Sequence, residues 1–142
     1  MVIYILCGIP GSGKSTLSTQ LATEYNAKLY HFDDYPNAFH AEKSKDVLRQ
    51  MWSNIANELQ EGNDVICDNL HTTKKMRSDI LNAISSIPCQ KICVVLLTSL
   101  EECLKRNSNR EARLPDFVLH NLYNRFELPT KDEGWDDIWY FK

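Results

Sequence analysis

Residues 8–16 read GIPGSGKST, and their types and spacing suit the binding of phosphate groups. They fit G-x-x-x-x-G-K-[S/T], with Gly8, Gly13, Lys14 and Ser15 at the fixed positions. Glycines let successive backbone N–H groups point into one concavity, and a following helix N-terminus adds positive potential. We expect the lysine to contact oxygens of the β- and γ-phosphates and the serine hydroxyl to be a ligand of Mg²⁺. Kinases, motors, switches and nucleotide sensors all carry such a loop, so the loop alone leaves the reaction open.

Carboxylates follow two further apolar runs that are short enough to be strands. Asp33 and Asp34 come after the second run, where they are either a proton-accepting base with a helper or a turn with a helix cap. Asp68 ends the third run, where it either orders a Mg²⁺-bound water or forms a turn. Because catalytic groups collect at the carboxyl ends of strands in open α/β sheets, these carboxylates are candidate site residues.

Basic residues form two groups. Arg106, Arg110 and Arg113 follow the fourth apolar run and its helix, and are either a phosphate-covering lid or a solvated helix end. A second set lies at the start of another helix, and we expect it on an exposed helix face: Lys74, Lys75 and Arg77.

Strands and helices must alternate to position these residues. Apolar runs predict five strands at residues 2–7, 28–32, 64–67, 92–97 and 137–141. Helical periodicity predicts helices at 14–25, 41–61, 76–87, 101–107 and about 115–126. The order predicts a three-layer α/β/α domain with a mostly parallel central sheet, formed by residues 1–142 without an internal boundary.

Composition narrows the class of protein. The chain has 142 residues, of which 43% are hydrophobic and 25% charged, as in ordinary globular domains. Its longest apolar runs are far below the roughly 18 residues that a membrane span needs, and no signal-peptide pattern precedes the phosphate loop, so we expect a cytoplasmic protein. The net charge of −3 argues against nonspecific coating of nucleic acid. Any contact with nucleic acid is therefore expected to be local.

The chain has five cysteines, which are either free thiols or ligands of a zinc site. They are Cys7, Cys67, Cys89, Cys93 and Cys103. Their spacing lacks C-x-x-C and paired histidines, and Cys7 and Cys67 lie in strand candidates. We therefore expect reduced structural thiols.

Four stretches together resemble the P-loop kinases typified by phage and animal polynucleotide 5′-hydroxyl kinases. They are GIPGSGKST, FDDY at 32–35, LKRNSNR at 104–110 with the helix after it, and RFELPTKDEGWDDI at 125–138. The order and spacing of the last two make the resemblance specific. It implies a P-loop NTPase fold with a helical lid at about 106–114.

The resemblance also implies roles for individual residues. Asp33 would accept the proton of the acceptor hydroxyl, Lys14 would contact the transferred phosphate, and Arg106 and Arg110 would be catalytic lid arginines. The implied ATP site comprises Gly11, Ser12, Gly13, Lys14, Ser15, Thr16 and Arg110. Mg²⁺ would be held by Ser15 and, through water, by Asp68, and the substrate side would comprise Asp33, Asp34 and Asp68.

One departure concerns the acceptor. The phage enzymes place an acceptor-binding arginine three residues after the base, and this chain has Pro36 there. Lys43, Lys45 or His71 could take that role. The sequence therefore predicts an ATP-dependent kinase acting on a hydroxyl, with a nucleic-acid 5′ end as the first candidate. A kinase of a small-molecule alcohol and a nucleotide-binding ATPase or switch without an acceptor are the alternatives.

Overall fold

The computed structural model describes residues 1–142 and contains a five-stranded sheet in the order β2-β3-β1-β4-β5. All four strand pairings are parallel. The strands are β1 (Val2–Cys7), β2 (Lys28–His31), β3 (Val65–Asp68), β4 (Gln90–Leu96) and β5 (Asp137–Phe141).

Five α-helices connect or follow the strands. They are α1 (Lys14–Tyr25), α2 (Ser44–Gln60), α3 (Lys74–Ala83), α4 (Leu100–Ser108) and α5 (Asp116–Asn124), with short 3₁₀ helices at Phe32–Asp34 and Lys131–Glu133. None of the helices is both long enough and apolar enough to cross a membrane.

Side chains of β1 alternate between the two faces of the sheet, as the pleat of a strand requires. Ile3 and Ile5 lie in the larger hydrophobic cluster, with buried residues of α2 and α3. Tyr4 and Leu6 lie in a second cluster that includes Leu21 of α1. Helices therefore cover both faces of the sheet, and the predicted three-layer α/β/α fold is confirmed.

A third, smaller cluster connects the two C-terminal helices to the phosphate loop. Ile9 of the loop packs with Cys103 of α4 and Leu119 of α5, all of which are buried. Apolar packing thus helps to fix the position of α4 relative to the loop.

Several helices and strands begin or end at residues other than those predicted from the sequence. The helix predicted to reach residue 87 ends at Ala83, and two i→i+3 turns follow, with Ser85 N–H donating to Asn82 and Ile87 N–H donating to Ile84. Ile84 and Ile87 are nevertheless buried, so the apolar period continues beyond the regular helix. The helix predicted from residue 41 begins at Ser44, and β3 includes Asp68.

Candidate functional site

A cleft at the carboxyl ends of the strands brings the predicted site residues together. Its volume is about 1540 Å³, and loops that follow β1, β2, β3 and β4 contribute to its lining. The lining includes residues 11–16, Asp33, Asp34, Asp68, Arg106 and Arg110. The residues that the sequence predicted for the nucleotide, the metal and the proton acceptor thus face one space, whereas Lys43, Lys45 and His71, considered for acceptor binding, do not line it.

The phosphate loop has the backbone geometry that its glycines predict. Gly11 and Gly13 have φ values of +85° and +97°, in the left-handed region that favours glycine. A Cβ on Gly11 would also lie 2.7 Å from the carbonyl oxygen of Cys103, closer than packing permits. Substitution of Gly11 would therefore force α4 away from the loop.

Two contacts that the sequence did not reveal hold the loop in place. Thr98, just beyond β4, donates from Oγ1 to the carbonyl oxygen of Ser12 at 2.7 Å. Gly8 N–H donates to the carbonyl oxygen of Leu70, just beyond β3, at 3.0 Å. The loop is therefore anchored from the strands on both sides of β1.

The side chains within the loop suit an anion. The Oγ of Ser12 is buried and has no hydrogen-bond partner. Lys14 Nζ donates to the carbonyl oxygen of Ile9 at 3.3 Å, and burial lowers the pKa of Lys14, an effect that Asp68 and Asp33 oppose. An unpaired buried hydroxyl and a desolvated ammonium both gain by meeting a phosphate oxygen.

The side chains of Asp33 and Asp34 carry no hydrogen bond or ion pair and are exposed at the cleft. They lie in the 3₁₀ turn after β2, which buried Phe32 fixes to the core. Partial burial of its carboxyl group raises the pKa of Asp33; Lys14 opposes this and Asp68 adds to it. Asp33 therefore has the availability and the increased basicity that a proton acceptor needs.

Asp68 belongs to a buried cluster of hydrogen bonds. Its Oδ2 lies 2.7 Å from His31 Nδ1 and accepts from Ser18 Oγ at 3.2 Å. Neither contact uses Oδ1. Sequence reasoning missed His31, which lines the cleft and pairs with Asp68 in the parallel register of β2 and β3.

The two arginines that the sequence predicts for a lid differ in their surroundings. Arg106 donates from Nη1 to the carbonyl oxygen of Gly11 at 3.1 Å and from Nε to Glu102 at 3.2 Å, so it contacts the phosphate loop itself. Arg110 is exposed, lines the cleft, and has no side-chain partner. Its guanidinium is therefore available to an incoming anion.

Asn107, which the sequence did not single out, fixes the loop that carries Arg110. Its buried side chain donates to the carbonyl oxygen of Leu114 at 2.7 Å and accepts from Leu114 N–H at 3.1 Å. These two bonds close residues 108–113 into a defined loop.

One prediction about basic residues was wrong. Arg77, expected on an exposed face with Lys74 and Lys75, is fully buried and donates to Glu133 at 2.8 Å, because the C-terminal segment folds back over α3. Lys74 and Lys75 are exposed as predicted.

His71, considered as an acceptor ligand, is also buried. Its Nδ1 lies 2.7 Å from the carbonyl oxygen of Leu6, and burial lowers the pKa of His71 to about 4. A neutral, enclosed imidazole of this kind holds the backbone and does not reach an acceptor.

Mg²⁺ would find few ligands here besides Ser15 and Asp68. No group of three or more His, Cys, Asp or Glu side chains lies close enough to hold a metal ion. Ser15 is exposed at the start of α1, and Asp68 Oδ1 makes no hydrogen bond. One hydroxyl and one carboxylate suit Mg²⁺, which usually keeps several water ligands and is also coordinated by the phosphates of the substrate.

Comparison with known protein families decides where the chain belongs. A family model described as "Chromatin associated protein KTI12" matches residues 1–138. The chain belongs to the KTI12 family. A KTI12 protein of Schizosaccharomyces pombe is 26% identical over 154 residues, covering 96% of this chain and 55% of that protein.

Kinases are also among the relatives of this KTI12-family chain. An L-seryl-tRNA(Sec) kinase of Methanococcus maripaludis is 26% identical over 143 residues, covering 95% of this chain and 56% of that enzyme. The chain thus spans about half the length of these relatives. A crystal structure of Chaetomium thermophilum Kti12 with ADP-AlF3 superposes with a TM-score of 0.72 at 18% identity, over 98% of this chain and 88% of that one. This likeness shows the shared fold.

The predicted resemblance to polynucleotide kinases is confirmed in part. A bifunctional polynucleotide phosphatase/kinase of Schizosaccharomyces pombe is 24% identical over 146 residues, covering 96% of this chain and 32% of that protein. The family that covers nearly the whole chain is nevertheless KTI12, a P-loop kinase-like family, rather than the phage and animal polynucleotide kinases.

Proposed function

We propose that this KTI12-family protein is an ATP-dependent kinase that transfers the γ-phosphoryl group to a hydroxyl on a nucleic acid, with the 5′-hydroxyl end as the candidate acceptor. The observation that carries the proposal is Asp33, an unpaired carboxylate of raised pKa in the same cleft as Lys14 and Arg110. A protein that only binds a nucleotide transfers no phosphate to a hydroxyl and therefore needs no such base. Relatives named as a tRNA kinase and a polynucleotide kinase support the acceptor class.

On the donor side, the backbone N–H groups of residues 11–16 would hold the phosphates of ATP. Lys14 would contact the β- and γ-phosphates, and Arg110 would cover the charge on the phosphoryl group in transfer, with Arg106 holding the loop beside it. Bound Mg²⁺, held by Ser15 and through water by Asp68, would neutralise phosphate charge. Because this chemistry is mostly positioning and electrostatics, loss of Lys14 or Arg110 should cost several orders of magnitude in rate.

On the acceptor side, Asp33 would take the proton of the attacking hydroxyl. A new bond would form between that oxygen and the γ-phosphorus, while the bond from the γ-phosphorus to the bridging oxygen of ADP breaks. Besides its role toward Mg²⁺, Asp68 would orient His31, and Asp34 lines the cleft next to Asp33.

The test offers γ-labelled ATP with 5′-hydroxyl oligonucleotides and, separately, with a panel of small alcohols. We expect label on the oligonucleotide with the wild type. Asp33→Asn should still bind ATP but lose transfer, since an amide cannot accept the proton. Asp79→Asn, which lies on α3 outside the cleft, is the matched control and should transfer normally.

The results also separate the other two functions. Label on a small alcohol but on no oligonucleotide would assign the protein to small-molecule kinases, which the net charge of −3 and Pro36 favour. Release of phosphate that needs no added alcohol would indicate an ATPase or switch. Unchanged transfer by Asp33→Asn would remove Asp33 from the mechanism.

A further inference from the structure

Phe39 is a large apolar side chain that the fold leaves in solvent. It is 81% exposed, the highest value among the exposed large hydrophobic residues. Single exposed apolar residues are common on protein surfaces, so exposure alone carries no meaning. Phe39, however, lines the same cleft as the phosphate loop and Asp33.

Specific contacts hold the segment that carries Phe39. Ala38 is buried in the main core, and Tyr35 Oη accepts from Asn54 of α2 at 2.9 Å. Asn37 takes a left-handed conformation at φ +66°, where a short polar side chain is tolerated. Two turns, from Ala38 N–H to Tyr35 and from His40 N–H to Asn37, fix the backbone on both sides of Phe39. The backbone that carries the exposed ring is therefore held at a defined place.

One neighbour also orients the ring. Phe39 meets Phe32 in an edge contact, with ring centroids 6.4 Å apart and an interplanar angle of 81°. Phe32 is buried and directly precedes Asp33. The aromatic pair thus links an open ring to the residue proposed as the base, while most of the Phe39 surface stays available.

We propose that Phe39 is the platform on which the nucleobase next to the acceptor hydroxyl stacks. The inference rests on the proposed function and deepens it by naming the acceptor class, a single-stranded nucleic-acid end. Stacking on an aromatic ring accepts any base, because every base has a π-face. The stacked ring itself is uncharged, so this contact is compatible with a chain of net charge −3 that has a proline at position 36.

The experiment measures binding directly, by anisotropy of short RNA labelled at its 3′ end. One RNA carries a 5′-terminal adenosine, and the other carries an abasic residue there. We expect Phe39→Ala to weaken binding of the adenosine RNA about tenfold, in the range found for loss of base–aromatic stacking. Binding of the abasic RNA should be the same for both proteins, and Phe39→Trp should retain tight binding of the adenosine RNA.

Phe117→Ala is the matched control, because Phe117 is 66% exposed on α5 but does not line the cleft. It should bind both RNAs like the wild type. The inference is overturned if Phe39→Ala binds like the wild type, if the wild type binds both RNAs equally, or if it binds neither. It is also overturned if Phe39→Ala raises the KM for ATP and leaves the binding of the acceptor RNA unchanged.

Transfer assays on the same proteins separate the two proposals. Phe39-dependent binding of the adenosine RNA without label on any hydroxyl would contradict the kinase but support the platform. Transfer to the adenosine and abasic RNAs with the same KM would support the kinase and contradict the platform.

Discussion

Asp33 combines two properties that conflict in an ordinary surface carboxylate. It is open to an incoming hydroxyl, yet the surrounding protein atoms raise its pKa and so increase its basicity. Lys14 limits this rise in the pKa of Asp33. A phosphate bound at Lys14 would reduce that opposing influence, so nucleotide binding should make Asp33 a stronger base.

The raised pKa predicts opposite effects of Asp33→Asn on activity and stability. A carboxyl group with a higher pKa in the folded state contributes stability at low pH that is lost as pH rises through that pKa. Asp33→Asn should therefore match or exceed the Tm of the wild type at pH 7, although it loses transfer. Transfer by the wild type should fall as the pH drops through the raised pKa of Asp33.

Thermal unfolding between pH 4 and pH 8, with kcat/KM over the same range, checks both expectations. A clearly lower Tm for Asp33→Asn at pH 7 would mean that the carboxylate has a structural role. An acidic limb at the ordinary pKa of an aspartate would contradict the raised value.

At the scale of elements, what the sequence predicts depends on how far apart the interacting residues are. The phosphate loop follows from local order, because strand, loop and helix succeed one another within residues 2–25. The strand-end carboxylates do so as well, because Asp33 comes two residues after β2 and Asp68 ends β3. The His31–Asp68 contact needs the β2–β3 register, and the Arg77–Glu133 pair joins residues 56 apart in sequence. No local pattern encodes either contact, and a basic residue in the first turns of a helix ordinarily faces solvent.

The Arg77–Glu133 pair fastens the C-terminal segment to α3, and this predicts a non-additive pair of mutations. Arg77 donates to Glu133 from Nε at 2.8 Å and from Nη2 at 3.3 Å, and it is fully buried. Glu133→Gln leaves a buried guanidinium without its counter-charge, which should cost about 3–5 kcal/mol of unfolding free energy. The double variant Arg77→Met with Glu133→Gln should regain a large part of that loss.

Urea unfolding of the wild type, both single variants and the double variant measures the coupling. The exposed Arg113–Asp116 pair is the control, and Asp116→Asn should change the unfolding free energy by about 1 kcal/mol or less. Additive single-variant losses would show that the two side chains do not act as a pair.

At the scale of the whole molecule, the cleft lies where four separate segments of the fold meet. The phosphate loop, the turn after β2, the end of β3 and the loop after α4 all contribute charged groups to it. Like-signed neighbours such as Asp33 and Asp68 destabilise one another in the absence of ligand. A ligand that meets Lys14 and Arg110 together should therefore stabilise the entire domain and not one loop.

Ligand-induced stabilisation tests that expectation. A non-hydrolysable ATP analogue with Mg²⁺, at about one hundred times its Kd, should add about 2.7 kcal/mol of unfolding free energy. For a chain of this size, that corresponds to a rise in Tm of roughly 5 to 10 °C. Lys14→Ala should abolish the rise, and Arg110→Ala should reduce it, because Arg110 would contact the terminal phosphate. Arg113→Ala, whose side chain pairs with Asp116, should retain it in full. An equal rise in the Lys14→Ala variant would place nucleotide binding elsewhere, and an equal rise in Arg110→Ala would remove that arginine from the phosphate site.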